Sequence, residues 1–157
     1  MAHSIVVAES RVVPVSPEDA FGRTLPAPLP VIFSRWHGVF PPVKQVHDQT
    51  GGWDVAGQTR TVLLAGGASM REELTSVEPP RAFGYRLTTI TGPLALLVDH
   101  VVGEWTFKPA AGGTEIAWRW DIHAKSPLAS RLLPLFARMW IRYARHVLAD
   151  LATMLTA

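Results

Sequence analysis

The sequence contains no cysteine, and this excludes several kinds of chemistry. Without thiols the chain forms no disulfide, thiolate nucleophile, zinc-thiolate site or iron–sulfur cluster. Charge is also sparse, since Asp, Glu, Lys and Arg make up 18% of the 157 residues and the formal net charge is only +2. Such a small positive surplus is a weak argument for nucleic-acid binding. We therefore expect no nucleic-acid partner.

Long apolar runs are absent as well. No stretch reaches the roughly 18 uncharged apolar residues that a membrane-spanning helix needs. The N-terminal MAHSIVVAES has no basic region ahead of a long apolar segment, so no secretion signal is predicted and a cytoplasmic protein is expected. The 48% hydrophobic content suits a folded protein, and without repeats or a linker we expect one domain over residues 1–157.

What the sequence does have is an excess of indole: six Trp against two Tyr. An indole ring is large, and its N–H normally finds a hydrogen-bond partner when it is buried. The positions of these rings therefore bear directly on the core and on any binding site.

The patterns along the chain predict an α+β protein. Residues 5–13 are apolar and β-branched, which predicts a strand, and Ser16 followed by Pro17 predicts the start of a short helix. A second short helix is predicted at 31–37. Period-two alternation predicts six further strands, at about 43–49, 57–65, 69–77, 82–91, 99–108 and 114–124. Apolar spacings of three and four predict a long amphipathic helix to residue 155, separated by Pro134 from a lead-in turn that starts at Ser126.

Several segments resemble the SRPBCC superfamily, which includes START-type lipid carriers, Bet v 1-like plant proteins and the polyketide cyclase/dehydrase group. They are SPEDAF at 16–21, REELTSVEPPR at 71–81, FGYRL at 83–87, GEWTFKP at 103–109 and GGTEIAWRW at 112–120. The resemblance covers almost the whole chain. It implies a helix-grip fold, with a curved seven-stranded antiparallel sheet around a long C-terminal helix and two short helices after the first strand. It implies no particular reaction, because this fold serves carriers, receptors and enzymes.

Strand alternation, together with the resemblance, predicts which side chains face the space between sheet and helix. The ligand-binding candidates are Met70, Glu72, Leu74, Phe83, Tyr85, Leu87, Val101, Trp105, Phe107, Trp118 and Trp120 on strands, and Phe136, Met139 and Tyr143 on the helix. We expect Trp140 nearby on the helix, and Trp36 and Trp53 in a short helix and a turn at the cavity edge. An aromatic lining with few polar groups is typical of a small-molecule pocket, while single aromatic residues on strands more often only pack.

Glu72 is the most informative polar candidate. A carboxylate that points inward needs water, Tyr85 or an arginine as its partner, because an isolated buried charge is very unfavourable. A register shifted by one residue would instead place Glu73 inward. Asp121 and His123 are predicted on the outer face of their strand. No spacing of histidines and carboxylates predicts a metal site, and no cofactor is expected.

Three functions follow from these observations. The leading hypothesis is non-catalytic binding or transport of a hydrophobic or aromatic small molecule, such as a lipid, polyketide or isoprenoid-like compound, in an internal cavity. The alternative is an enzyme of the polyketide cyclase/aromatase type, with Glu72, Tyr85 and Tyr143 as catalytic candidates. The third is a protein-interaction module that binds through an exposed strand edge.

The last helix also carries a basic face. Arg138, Arg142 and Arg145 recur along one side of it, which predicts a solvated surface and at most transient contact with an acidic membrane surface. The sequence predicts no particular oligomeric state.

Overall fold

The computed structural model of the protein describes residues 3–157. Its strands are β1 (Ser4–Val13), β2 (Val43–His47), β3 (Thr59–Leu64), β4 (Ser69–Glu78), β5 (Ala82–Thr88), β6 (Val98–Ala110) and β7 (Gly113–Ala124). Its helices are α1 (Pro17–Thr24), α2 (Leu29–Ile32), α3 (Pro127–Ser130) and α4 (Leu133–Thr156), and a single 3-10 turn at Pro93–Leu96 precedes β6.

The seven strands form one antiparallel sheet in the order β1-β7-β6-β5-β4-β3-β2. Strands adjacent in the chain pair with each other from β2 to β7, whereas β1 pairs with β7. The two edge strands, β1 and β2, are therefore joined by the segment that holds α1 and α2. The predicted seven-stranded sheet, with two short helices after its first strand, is confirmed.

Local sequence explains how the two short helices begin. Ser16 caps α1, because its Oγ accepts a hydrogen bond from the backbone N–H of Asp19 at 3.1 Å. The prediction of α2 at 31–37 was wrong, since the helix spans Leu29–Ile32 and ends at Phe33 with φ −106° and ψ 67°. Pro30 lies in its first turn, where a missing backbone N–H costs nothing.

Other boundaries differ from the prediction by one to three residues, and two of the differences are explained by local structure. Strand β5 ends at Thr88 rather than at 91, because Thr89 adopts a left-handed conformation with φ 51° that interrupts the extended ladder. Pro134 does not separate a lead-in turn from the main helix. It lies in the first turn of α4, and the interruption falls just before Leu133.

Helix α4 has 24 residues, so it is about 36 Å long and reaches across the sheet. Its buried face includes Phe136, Trp140, Tyr143, Val147 and Leu151, as the apolar spacing predicted. On the outer face, Arg145 donates from Nε to Glu9 Oε2 of β1 at 2.9 Å. Among the described helices, none is long and apolar enough to cross a membrane.

Candidate ligand-binding cavity

A cavity of about 430 Å³ lies between the inner face of the sheet and α4. Strands β3 to β7 form its floor, and Phe136, Met139 and Tyr143 of α4 lie on its opposite side. The end of α1, α2, the segment 33–42 that connects α2 to β2, Trp53 and the 3-10 turn also contribute to the wall. Most lining side chains are apolar or aromatic, which suits a ligand that leaves water for a hydrophobic environment.

The structure brings most of the predicted ligand-binding residues to this cavity. Those that line it are Met70, Glu72, Phe83, Tyr85, Leu87, Trp105, Trp118, Trp120, Phe136, Met139 and Tyr143. Leu74, Val101 and Phe107 point inward but do not line it, because neighbouring side chains cover them almost completely. The Phe107 ring, for example, lies edge-on against Phe21 of α1, with centroids 5.5 Å apart.

The remaining three indoles occupy different surroundings. Trp53, expected in a turn at the edge, itself has a left-handed backbone with φ 60°, and the residue is only 2% exposed and lines the cavity. Trp36 also lines the cavity but is 57% exposed, and it lies beyond the end of α2 instead of in the predicted helix. Trp140 is fully buried behind the cavity wall, where its ring packs on Trp118 with centroids 4.9 Å apart.

Tyr85 is the centre of a hydrogen-bonded aromatic group. The indole Nε1 atoms of Trp118 and Trp120 both donate to its Oη, each at 2.7 Å. The ring reaches these β7 residues from β5 by lying across Gly103 of β6, the residue opposite Tyr85 in the ladder. A Cβ atom at position 103 would overlap the Tyr85 ring, so this crossing requires glycine for space.

Glu72 points inward and is paired with an arginine. It is 7% exposed while Glu73 is exposed, so the alternative register is wrong. Arg60 lies opposite Glu72 in the β3–β4 ladder and donates from Nε to Oε1 at 2.7 Å. Its guanidinium carbon also lies 3.7 Å from the centre of the Trp53 ring, a cation–π contact. Burial raises the pKa of Glu72, and the charge and hydrogen bond of Arg60 oppose that shift.

Sequence reasoning did not identify Arg60, although a signal was present. On β3 it alternates with Val62 and Leu64, and all three line the cavity. Period two therefore places the guanidinium inward, even though arginine is rarely buried without a partner.

The two tyrosines of the cavity are neutral phenols. Burial raises the pKa of Tyr85 far above its usual range, and the two indole hydrogen bonds only partly oppose this. Burial likewise raises the pKa of Tyr143 beyond its usual range, and a charge on Tyr85 would raise it further. Both hydroxyls can therefore hydrogen-bond, but neither is a phenolate at neutral pH.

The segment 33–42 was the largest part of the site that sequence reasoning missed. Its Phe40 ring stacks on Tyr143 with centroids 4.3 Å apart. Arg35 forms a bidentate ion pair with Asp150 of α4 at 2.6 and 3.2 Å. His37 Nε2 lies 3.3 Å from Asp150 Oδ2, without the alignment of a hydrogen bond. Aromatic and charged contacts thus hold this segment against α4 along one side of the cavity.

Other candidate chemistry lies outside the cavity. His123 and Asp121 are 3.5 Å apart on the outer face of β7, as predicted. In residues 3–157, no three His, Cys, Asp or Glu side chains come together as a possible metal-ligand set.

Solved structures share this fold at low sequence identity. Ara h 8.0201 is 12% identical with a TM-score of 0.70, and the match covers 98% of each chain. The protein MLL2253 from Mesorhizobium loti is 16% identical with a TM-score of 0.67 over 97% of each chain. Norcoclaurine synthase from Thalictrum flavum, solved with dopamine and hydroxybenzaldehyde, is 16% identical with a TM-score of 0.69 over 98% of this chain and 86% of its own.

Sequence comparison is more decisive about the family. None of the curated proteins matches the chain significantly in sequence. The sequence profile of the family described as polyketide cyclase / dehydrase and lipid transport matches residues 4–156. The resemblance to the SRPBCC superfamily is thereby confirmed, and the chain belongs to the polyketide cyclase / dehydrase and lipid transport family.

Proposed function

We propose that this protein binds a hydrophobic or aromatic small molecule reversibly in the cavity between the sheet and α4. The observation that carries the proposal is the cavity itself, with its volume of about 430 Å³ and its wall of indole, phenyl and aliphatic side chains. That volume lies within the usual range of small-molecule sites. The family description names lipid transport, and the norcoclaurine synthase structure holds aromatic compounds on the same fold.

The polar groups in the cavity favour binding over turnover. Arg60 holds Glu72 in an ion pair, and two indole N–H groups occupy the lone pairs of Tyr85 Oη. A general base needs a free, accessible lone pair at the substrate. Tyr85 therefore orients a ligand more readily than it removes its protons, and Arg60 occupies one of the two carboxylate oxygens of Glu72. A cytoplasmic location and transient membrane contact stay predictions from the sequence.

The direct test is a titration with N-phenyl-1-naphthylamine, an uncharged aromatic probe whose emission rises in an apolar environment. We expect saturable binding with one probe per chain. Leu97→Trp fills part of the cavity and should weaken binding about tenfold or more. Leu96→Trp is the matched control, because Leu96 is 82% exposed and lies outside the cavity. Equal affinity in both variants, or no saturable binding, would contradict the proposal.

A second candidate function is catalysis of the cyclase/aromatase type. It is favoured by one observation: Glu72, Tyr85 and Tyr143, three side chains that can exchange protons, all line the same cavity. A poly-β-ketone mimic incubated with the protein should then cyclise faster than in buffer, and Glu72→Gln should abolish the acceleration. Cyclisation at the buffer rate would leave reversible binding as the function.

A further inference from the structure

The Tyr85 hydroxyl accepts hydrogen bonds from the protein and can act only as a donor toward any further partner. An indole N–H can only donate a hydrogen bond, so Trp118 and Trp120 both use Tyr85 Oη as their acceptor. A phenol oxygen has two lone pairs and one proton. With both lone pairs engaged at 2.7 Å, the hydroxyl has only its proton left to offer.

That proton has no protein acceptor in the part of the chain that the structure describes. Within residues 3–157, the hydrogen bonds of Tyr85 Oη are the two that it accepts. Tyr85 is 6% exposed and lines the cavity, so an acceptor on a ligand in that space can take its proton. A buried donor without an acceptor is costly, and a ligand that supplies an acceptor removes that cost.

The two charged side chains beside Tyr85, Arg60 and Glu72, neutralise each other. Arg60 and Glu72 have side chains that are 6% and 8% exposed, and their ion pair places one positive and one negative charge at the same end of the cavity. A ligand anion near Arg60 would be repelled by the Glu72 carboxylate that already neutralises it, and a ligand cation near Glu72 would be repelled by Arg60. Either charge loses its hydration on entering the cavity, which is strongly unfavourable.

We infer that the cavity selects an uncharged aromatic ligand that carries a carbonyl oxygen, as in an aryl ketone, aldehyde or quinone, and that Tyr85 donates its hydroxyl proton to that oxygen. The inference rests on the proposed function and narrows its ligand class. Gly103 is required for this arrangement, because the absence of its side chain lets the phenol ring of Tyr85 cross β6 to the two indoles.

The first test uses the unaltered protein and three naphthalenes of similar shape: 2-acetylnaphthalene, 2-ethylnaphthalene and 2-naphthoate. Infrared spectroscopy of the bound ketone, labelled with carbon-13 at its carbonyl, reports the hydrogen bond directly. We expect the carbonyl stretch to lie at lower frequency than in dry alkane. We also expect 2-naphthoate to bind at least about tenfold more weakly than the ketone at neutral pH.

The second test compares Tyr85→Phe with the unaltered protein. The substitution leaves two indole N–H groups without an acceptor, so its general effect on the cavity is measured with 2-ethylnaphthalene, which cannot accept a hydrogen bond. Beyond that general effect, the ketone should lose a further fivefold to tenfold in affinity, about the worth of one neutral hydrogen bond. Its carbonyl stretch should return toward the alkane value.

The outcomes separate the two proposals. If the hydrocarbon binds but the ketone shows an alkane-like carbonyl stretch, or if 2-naphthoate binds more tightly than the ketone, the inference about Tyr85 fails and reversible binding stands. If none of the three naphthalenes, nor the naphthylamine probe, binds saturably, both proposals fail.

Discussion

At the scale of single residues, the site depends on the presence of a glycine, which has no side chain, at position 103. Gly103 lies between Tyr85 and the two indoles that donate to it, and the phenol ring occupies the volume that a Cβ atom would need. The three aromatic side chains therefore hydrogen-bond only because the strand between them carries no side chain at that point. This explains how a sheet residue can reach two strands away.

Gly103→Ala should consequently displace Tyr85 and break its hydrogen bonds to the two indoles. Overpacking and unpaired buried N–H groups together should lower the free energy of unfolding by about 2 to 4 kcal/mol, measured in urea. Gly22→Ala is the matched control. Gly22 lies within α1 with no atom near its missing Cβ, so alanine should stabilise the protein by about 0.5 to 1 kcal/mol. Similar stability changes in the two variants would contradict this view of Gly103.

The Arg60–Glu72 pair makes a different prediction about stability. Glu72→Leu leaves a buried guanidinium without its carboxylate and should cost about 3 to 5 kcal/mol. The double variant Arg60→Met/Glu72→Leu removes both charges and should recover most or all of that loss. Urea unfolding of both variants measures the difference. A double variant as unstable as Glu72→Leu alone would mean that the ion pair contributes net stability.

The geometry of a strand also decides which residues of the site could be predicted from the sequence. Alternation with Ile116 and Ile122 was enough to place Trp118 and Trp120 inward, because a strand fixes side-chain direction with period two. It could not show that Leu74 is covered while Met70 lines the cavity, since that depends on neighbours from other elements.

At the scale of elements, the segment 33–42 closes one side of the cavity through contacts that no local pattern encodes. The sequence predicted a helix at 31–37, which overlaps its first five residues wrongly, and its partners on α4 lie far away in sequence. The regular strands and α4 were predictable because each buries one periodic face. Trp53 lies in a turn and lines the cavity, but its burial depends on contacts such as the one with Arg60, which alternation along a single strand does not encode.

His37 gives this segment a pH dependence. Its side chain is 7% exposed, and burial lowers its pKa below the usual 6.5 although the Asp150 carboxylate opposes the shift. The positive charge of Arg35 and the His146 ring, stacked 4.9 Å away, also disfavour its protonation. The unfolded chain therefore binds a proton at His37 more readily than the folded protein does. The stability contribution is full above pH 6.5 and is lost as the pH falls through the lowered pKa.

We therefore expect the unaltered protein to lose more stability than His37→Gln between about pH 7.5 and about pH 5.5. Urea midpoints at the two pH values measure this difference, and hydrogen exchange should show faster opening of residues 33–42 at the lower pH. Parallel pH profiles for the two proteins would mean that His37 does not titrate differently on folding.

At the scale of the whole molecule, the sheet and α4 pack directly on each other in one part, as where Trp140 lies on Trp118, and enclose a cavity in another. The deep core, with Ile116, Ile122, Val147 and Leu151 buried almost completely, stabilises one part of the sheet. Side chains that face the cavity have no protein neighbours on that side, so they make fewer dispersion contacts than side chains in a close-packed interior. A ligand that fills the space supplies those contacts, so occupancy and global stability are coupled.

Ligand removal should therefore lower the stability of the whole protein. Protein purified without denaturation is expected to retain a small molecule, visible in native mass spectrometry as mass above that of the 17.2 kDa chain. The same protein unfolded in urea, freed of small molecules by dialysis and refolded should show the bare mass. A ligand held at about a hundred times its Kd contributes about 2.7 kcal/mol, so the stripped protein should melt several degrees lower. Adding the extracted small molecule back should restore both the mass and the melting temperature.

A stripped protein that melts at the same temperature as one carrying extra mass would contradict this prediction. It would show that the retained molecule does not occupy a site whose binding stabilises the fold.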